Sequence, residues 1–129
     1  MDSSPAYILT STAERDFRNA KRWSNKRWGK EQTRLYFKEL DKAANYIAEN
    51  HEFIARKDYL TGSTGLGVYP AKEHYIIYIS VDRKTIIIVA LIRQSCDVPA
   101  ILEANNFRIS REIAEIKTLL RSEDTTDVM

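Results

Sequence analysis

The 129-residue chain has one cysteine, Cys96, and therefore no internal disulfide. That excludes a secreted cystine scaffold and makes a reducing cytoplasm the default compartment. Its two histidines, His51 and His74, stand at no metal-ligand spacing from each other or from Cys96. Long hydrophobic runs are missing. The most apolar stretch, residues 85–92 (TIIIVALI), falls far short of the roughly 18–20 residues of a spanning helix, and its β-branched content suits a buried strand. The first residues, Met1-Asp2-Ser3-Ser4-Pro5, put an acid where a signal peptide is basic, so export by that route is not expected. Internal repeats and low-complexity segments are absent as well, and the net charge is only +2.

What is present is the composition of one compact domain, 43% hydrophobic and 29% charged, long enough to bury a core without disulfides or metal. The small total charge conceals an asymmetry. Residues 15–42 hold ten basic side chains (15, 18, 21, 22, 26, 27, 30, 34, 38, 42) against four acidic ones (16, 31, 39, 41), a net +6, so the rest of the chain is −4. One region is thereby suited to an acidic partner.

Tyr7-Ile8-Leu9-Thr10 is β-prone, and Ser11-Thr12-Ala13-Glu14 spells a capping box with Ser11 as N-cap, so a strand runs into a helix. Ala13, Phe17, Ala20 and Trp23 form its apolar stripe, which Gly29 interrupts. The helical period resumes from Lys30 with Thr33, Phe37, Leu40, Ala44 and Ile47, reaching about Asn50. Two helices joined by a short Trp-Gly break predict an antiparallel hairpin that needs a sheet against it. Residues 51–67 carry three of the four glycines and read as a connection with little regular structure. The period then becomes two: a short strand at 67–72, in which Pro70 marks an edge or bulge, and strands at 74–81 and 85–93 around the tight loop Asp82-Arg83-Lys84. Residues 98–102 predict a short turn or helix. A helix over 110–121 follows, with Ser110 as cap and Ile113, Ile116 and Leu120 on one face, before a polar tail expected to fray. The expected fold is α+β, ordered β-α-α-β-β-β: a helical hairpin on a small antiparallel sheet, plus a C-terminal helix.

Three motifs invite a chemical reading. Gly62-Ser63-Thr64-Gly65-Leu66-Gly67 is GxxGxG, precedes a strand instead of a helix and lacks the Walker lysine, so it reads as a plain loop. A Cys/His nucleophilic pair fails because Cys96, beside Asp97, lacks the electropositive setting that activates a thiol. Lys21-Arg22-Trp23 and Lys26-Arg27-Trp28 interleave cations with indoles as a nucleic-acid surface does. On a continuous helix, however, the two indoles sit about 140° apart and make no single platform. The plainer expectation is a solvated face with one Trp in the core and the other at the turn.

The residues His74-Tyr75-Ile76-Ile77-Tyr78, then 85–92, then Asp97-Val98-Pro99-Ala100-Ile101-Leu102 resemble the C-terminal half of ParE-type toxins of the ParE/RelE superfamily. That family has an H-x-I-x-Y strand, an aliphatic strand ending near a basic residue, and an Asp-Val/Ile turn closed by Leu. Residues 7–17 (YILTSTAERDF) are similar to its opening strand and helix entry, and residues 36–47 to its second helix. The resemblance spans roughly residues 6–104. Domain bounds follow as 1–104 for the toxin-like domain and 105–129 for a C-terminal extension.

The resemblance implies a toxin of a type II toxin-antitoxin system, a hetero-oligomer with a ParD-like antitoxin that wraps and neutralises it. ParE-type members inhibit DNA gyrase, and RelE-type members cut mRNA on the ribosome. Metal-free RNA cleavage needs a proton acceptor, cations for the phosphorane and an acid for the leaving oxygen. Here the sheet offers only Lys72, His74 and Arg93. The strand position where such nucleases carry Arg reads Tyr75-Ile76-Ile77, and no Tyr follows Tyr78. His74 fits the ParE-type pattern, where it is a structural imidazole, while Arg93 departs from it by replacing a His. The expectation is a protein-binding, gyrase-directed toxin with no catalytic residue, no cofactor, no metal, no membrane and no direct nucleic-acid contact; the alternatives are a RelE-like mRNA endoribonuclease using Lys72, His74 and Arg93, and a non-toxic binding module of the same fold. Arg22, Trp23, Arg27, Trp28 and Arg34 are the expected partner-binding residues.

Overall fold

The computed structural model describes residues 7–55, 57–62 and 64–128. Strand β1 (Tyr7–Leu9) leads into helix α1 (Ser11–Trp28), which Gly29 separates from helix α2 (Lys30–Asn50). A 3₁₀ turn (His51–Phe53) and a one-turn helix α3 (Asp58–Thr61) cross to strands β2 (Gly67–Ala71), β3 (His74–Asp82) and β4 (Thr85–Arg93). Helices α4 (Val98–Ala104) and α5 (Asn106–Val128) complete the chain. No helix among the described residues is long and apolar enough to cross a membrane.

The four strands lie in the order β1-β4-β3-β2. The expected α+β architecture is present with one refinement: β3 pairs antiparallel with β2 and β4, while β1 pairs parallel with β4, placing Ile8 opposite Ile87, so the sheet is mixed. Pro70 sits on edge strand β2, where its missing N–H costs no ladder bond to a further strand. Arg83 and Lys84 form the β3–β4 turn, held by the Lys84 N–H donated to Asp82 Oδ1 at 3.0 Å.

Each face of β4 is covered. Ile86, Ile88 and Leu91 join Ala13, Ala20, Leu40, Ala44 and Ile47 of the hairpin in one core. Ile87, Ala90 and Ile92 face a second core with Val98, Leu102 and Ile109, against which Ile113 and Ile116 of α5 pack. The amphipathic C-terminal helix thus folds back on the sheet, as its apolar face demands.

Three local expectations change. The N-cap of α1 is Thr10, whose extended backbone (φ −71°, ψ 167°) leaves Oγ1 to accept the Ala13 N–H at 3.0 Å; Ser11 is already helical, and the Glu14 amide bonds the Thr10 carbonyl at 2.9 Å. Helix α5 starts at Asn106, four residues before Ser110, because the chain turns only at Asn105, whose side chain bonds the Ile101 carbonyl at 2.8 Å. It then continues to Val128, through the tail expected to fray. In the glycine-rich connection, Gly67 is there for space: a Cβ would come within 2.3 Å of the Tyr78 ring.

Two carboxylates tie α1 into this frame. Asp16 Oδ2 accepts the Leu91 N–H of β4 at 3.0 Å, beyond the reach of three-residue β1. Glu112 of α5 is buried, and its two oxygens accept the Thr12 N–H and hydroxyl, each at 3.1 Å, so the C-terminal helix satisfies a first-turn amide of α1. Burial lifts the Asp16 carboxyl above its usual range, the Leu91 amide and Arg15 oppose this, and the Glu112 charge adds to the rise. Replacing Glu112 by Ala leaves the Thr12 donors buried and unmatched, at an expected cost of about 1.5–3 kcal/mol, readable in urea unfolding. Unchanged stability would show that α5 is not tied to α1 by this carboxylate.

Candidate functional site: a basic aromatic cluster

Where α1 ends, the chain must reverse, and Gly29 takes φ +89° to do it. The break sets Trp28 at the mouth of the hairpin, five residues past Trp23, and Trp23 reaches His74 and Arg93 at the ends of β3 and β4. Four rings close a circuit there. Trp23 meets Trp28 at 5.2 Å, Trp28 meets Tyr36 at 5.5 Å, Tyr36 meets His74 at 5.7 Å, and His74 meets Trp23 at 6.0 Å, three of the four contacts edge to face. The two indoles, expected to be apart on a continuous helix, touch edge to face although both stand on α1. Two guanidiniums lie over Trp23: Arg27, one turn along α1, at 5.4 Å, and Arg93 from the end of β4 at 4.8 Å. Arg93 is the cross-strand partner of His74, so both side chains stand on the hairpin face.

Tyr36 is the hub. Its hydroxyl donates to the Ala71 carbonyl at 3.2 Å, accepts the Glu73 N–H at 3.1 Å and lies 2.6 Å from His74 Nδ1. A hydroxyl has one proton, so all three contacts are satisfied together only when Nδ1 carries the hydrogen; that assigns the neutral His74 tautomer from the network. Burial, then the Arg93 charge, pushes the imidazole down to about 4. Burial, partly offset by the Glu73 amide, pushes the Tyr36 phenol up to about 12. Neither group changes protonation near neutrality.

Of the residues expected from sequence, Trp23, Arg27 and Trp28 converge here together with His74 and Arg93. Arg22 and Arg34 do not join them: Arg22 donates to Asn19 Oδ1 at 2.7 Å and Arg34 pairs with Glu31 at 2.7 Å, both on exposed helix surface. Lys72 sits exposed on the β2–β3 turn in the left-handed region, φ +57°. Tyr36 escaped the sequence reading, which placed Phe37 on the apolar stripe; its spacing of four from Leu40 was the available signal. Among the described residues no group of His, Cys, Asp and Glu side chains could hold a metal.

Two concavities flank the cluster. A groove of about 660 Å³ runs from Trp28 and Tyr36 past Lys38 and Lys42 of α2 to Lys72. A smaller cavity of about 320 Å³ opens between α1, the end of β4 and α4.

The Tyr36–His74 pair makes stability depend on pH. An unfolded histidine titrates near 6.5 and this one near 4. Between those values the unfolded chain binds the extra proton, so stability is full above 6.5 and falls as pH drops toward 4, by on the order of 3 kcal/mol. Tyr36→Phe strips the Glu73 N–H and Nδ1–H of their acceptor and is expected to cost about 1–3 kcal/mol at pH 7. Urea unfolding of both proteins from pH 7 to 4 checks this; a flat wild-type profile contradicts it.

Among curated proteins no relative matches the chain. A solved structure described as the chromosomal ParDE TA system from P. aeruginosa is similar in fold, with a TM-score of 0.57 at 13% identity, over 67% of this chain and 92% of that one. The family model for the ParE toxin of type II toxin-antitoxin systems, parDE, matches residues 7–98. That match takes in β1, the hairpin, the sheet and the whole aromatic cluster, and the chain belongs to the ParE toxin family.

Proposed function

We propose that this ParE-family chain works by protein–protein contact, inhibiting DNA gyrase and being neutralised by an acidic ParD-like antitoxin docked on the hairpin. The observation that carries the reading is the Trp23–Trp28–Tyr36–His74 circuit with Arg27 and Arg93 stacked on it. Trp, Tyr and Arg are the side chains that dominate binding energy at interfaces. The circuit opens from residues 15–42 of the hairpin, a stretch of net +6, which draws in an acidic segment and selects against a basic one.

The competing reading, RelE-like mRNA cleavage by Lys72, His74 and Arg93, has the cross-strand pairing of His74 with Arg93 in its favour. Against it, the His74 side chain is 97% buried, counting from its 3% exposure, and its Nδ1 is taken by Tyr36. A group held neutral down to about pH 4 donates no proton to a leaving oxygen near pH 7.

Supercoiling by gyrase, assayed with the purified chain alone and with an acidic ParD-like antitoxin, tests the proposal. The expected result is loss of supercoiling that antitoxin restores, and an antitoxin affinity at least tenfold weaker for Trp23→Ala or Arg27→Ala. Full supercoiling at large toxin excess would sink the gyrase reading, and cleaved mRNA in a translating extract would replace it with the nuclease one.

A further inference from the structure

The smaller cavity beside the cluster has a donor and acceptor pattern that no described residue completes. Trp23 and Ala20 of α1, Leu91 and Ile92 of β4 and Ile101 of α4 give it apolar walls. At about 320 Å³ it lies at the low end of ligand pockets, with room for a large side chain and none for a folded element. His74 lines it as well. With the Nδ1 hydrogen engaged by Tyr36, Nε2 presents a lone pair, and no described residue donates to it. Nε2 is reachable from the cavity, where a donor entering from outside can meet it. Arg93, its cross-strand neighbour on the same wall, brings guanidinium N–H groups, of which one reaches only the Ser95 hydroxyl at 3.4 Å.

We propose that this cavity is a socket for one tyrosine side chain of the acidic antitoxin segment, an inference that rests on the antitoxin reading above. The match is chemical. A phenol ring lies against Trp23, Leu91 and Ile101, its O–H donates to His74 Nε2, and its oxygen accepts from Arg93. Phenylalanine leaves both polar groups unmatched. An indole N–H donates but accepts nothing, and a carboxylate meets the Nε2 lone pair and the nearby Asp16 carboxylate. The acidic residues flanking such a tyrosine face Arg27 and Arg93 at the cluster.

Cys96 offers a readout that needs no substitution in the toxin. It is the only thiol of the chain, it is exposed, and it lines this cavity. The rate of its modification by a disulfide reagent is followed in the intact chain with p-cresol, with toluene, and with the antitoxin. The expected result is that p-cresol slows modification, that toluene needs about tenfold higher concentration for the same effect, and that the antitoxin shields Cys96 fully. One Tyr→Phe replacement within the antitoxin is expected to weaken binding about tenfold. If the antitoxin binds while Cys96 stays reactive, or while every Tyr→Phe variant binds as tightly as the parent, the socket is wrong and the antitoxin reading stands. If the antitoxin does not bind at all, both fall.

Discussion

The structure depends on covering β4 from both sides. From Ile86 to Ile92 every residue of this strand is buried, and a strand apolar on both faces cannot border solvent on either. At roughly 1.5–3 kcal/mol for each fully buried large aliphatic side chain, four isoleucines, a valine and a leucine make it the strand that contributes most buried aliphatic surface. The hairpin covers one face, and α4 with the first turns of α5 covers the other. This constraint explains why a chain whose family match ends at residue 98 carries a further helix against the sheet. It also explains the mixed pairing: β1 lies along β4 as a parallel strand because the hairpin that follows must return across the same face.

Once both faces are covered, the leftover polar groups need partners, and the solutions shape the candidate site. Asp16 takes the Leu91 amide where β1 ends, Glu112 takes the Thr12 donors, and Tyr36 takes the Glu73 amide and the His74 ring. The last arrangement fixes the β2–β3 turn to α2 and sets the imidazole edge-on to Trp23. The aromatic circuit is therefore held from both helices and two strands, and its preorganisation means that a partner spends little ordering it. Burial within this frame, and then the Arg93 charge, hold His74 neutral and inert as an acid.

Much of this was legible in the amino-acid sequence, for identifiable reasons. The stripes at steps of three and four gave α1 and α2 nearly to the residue, because Gly29 punctuates them and their apolar positions face a single core. The switch to period two marks β3 and β4, and the β-branched run of β4 marks a buried strand; that both its faces are covered is shown by the structure. The cap at Thr10 was misplaced by one residue because Ser-Thr-Ala-Glu satisfies the local rule equally well; only the strand end opposite Ile88 decides it. The start of α5 was missed because Asn105 ends α4 with a local side-chain bond that periodicity does not see. Tyr36, Glu112 and Asp16 were invisible as ties, since their partners lie between 35 and 100 residues away. Arg93 was noticed as a departure from the family pattern, but its stacking on Trp23 is a tertiary fact.

The hairpin and the strand ends beneath it, and not the α5 face of the sheet, are the proposed protein-binding surface. Hydrogen–deuterium exchange of the toxin with and without its antitoxin tests this most directly. The account predicts protection concentrated in residues 15–42 and at the His74 and Arg93 ends of β3 and β4, with α5 unchanged. Protection confined to α4 and α5, with the hairpin exchanging as in the free chain, would contradict it.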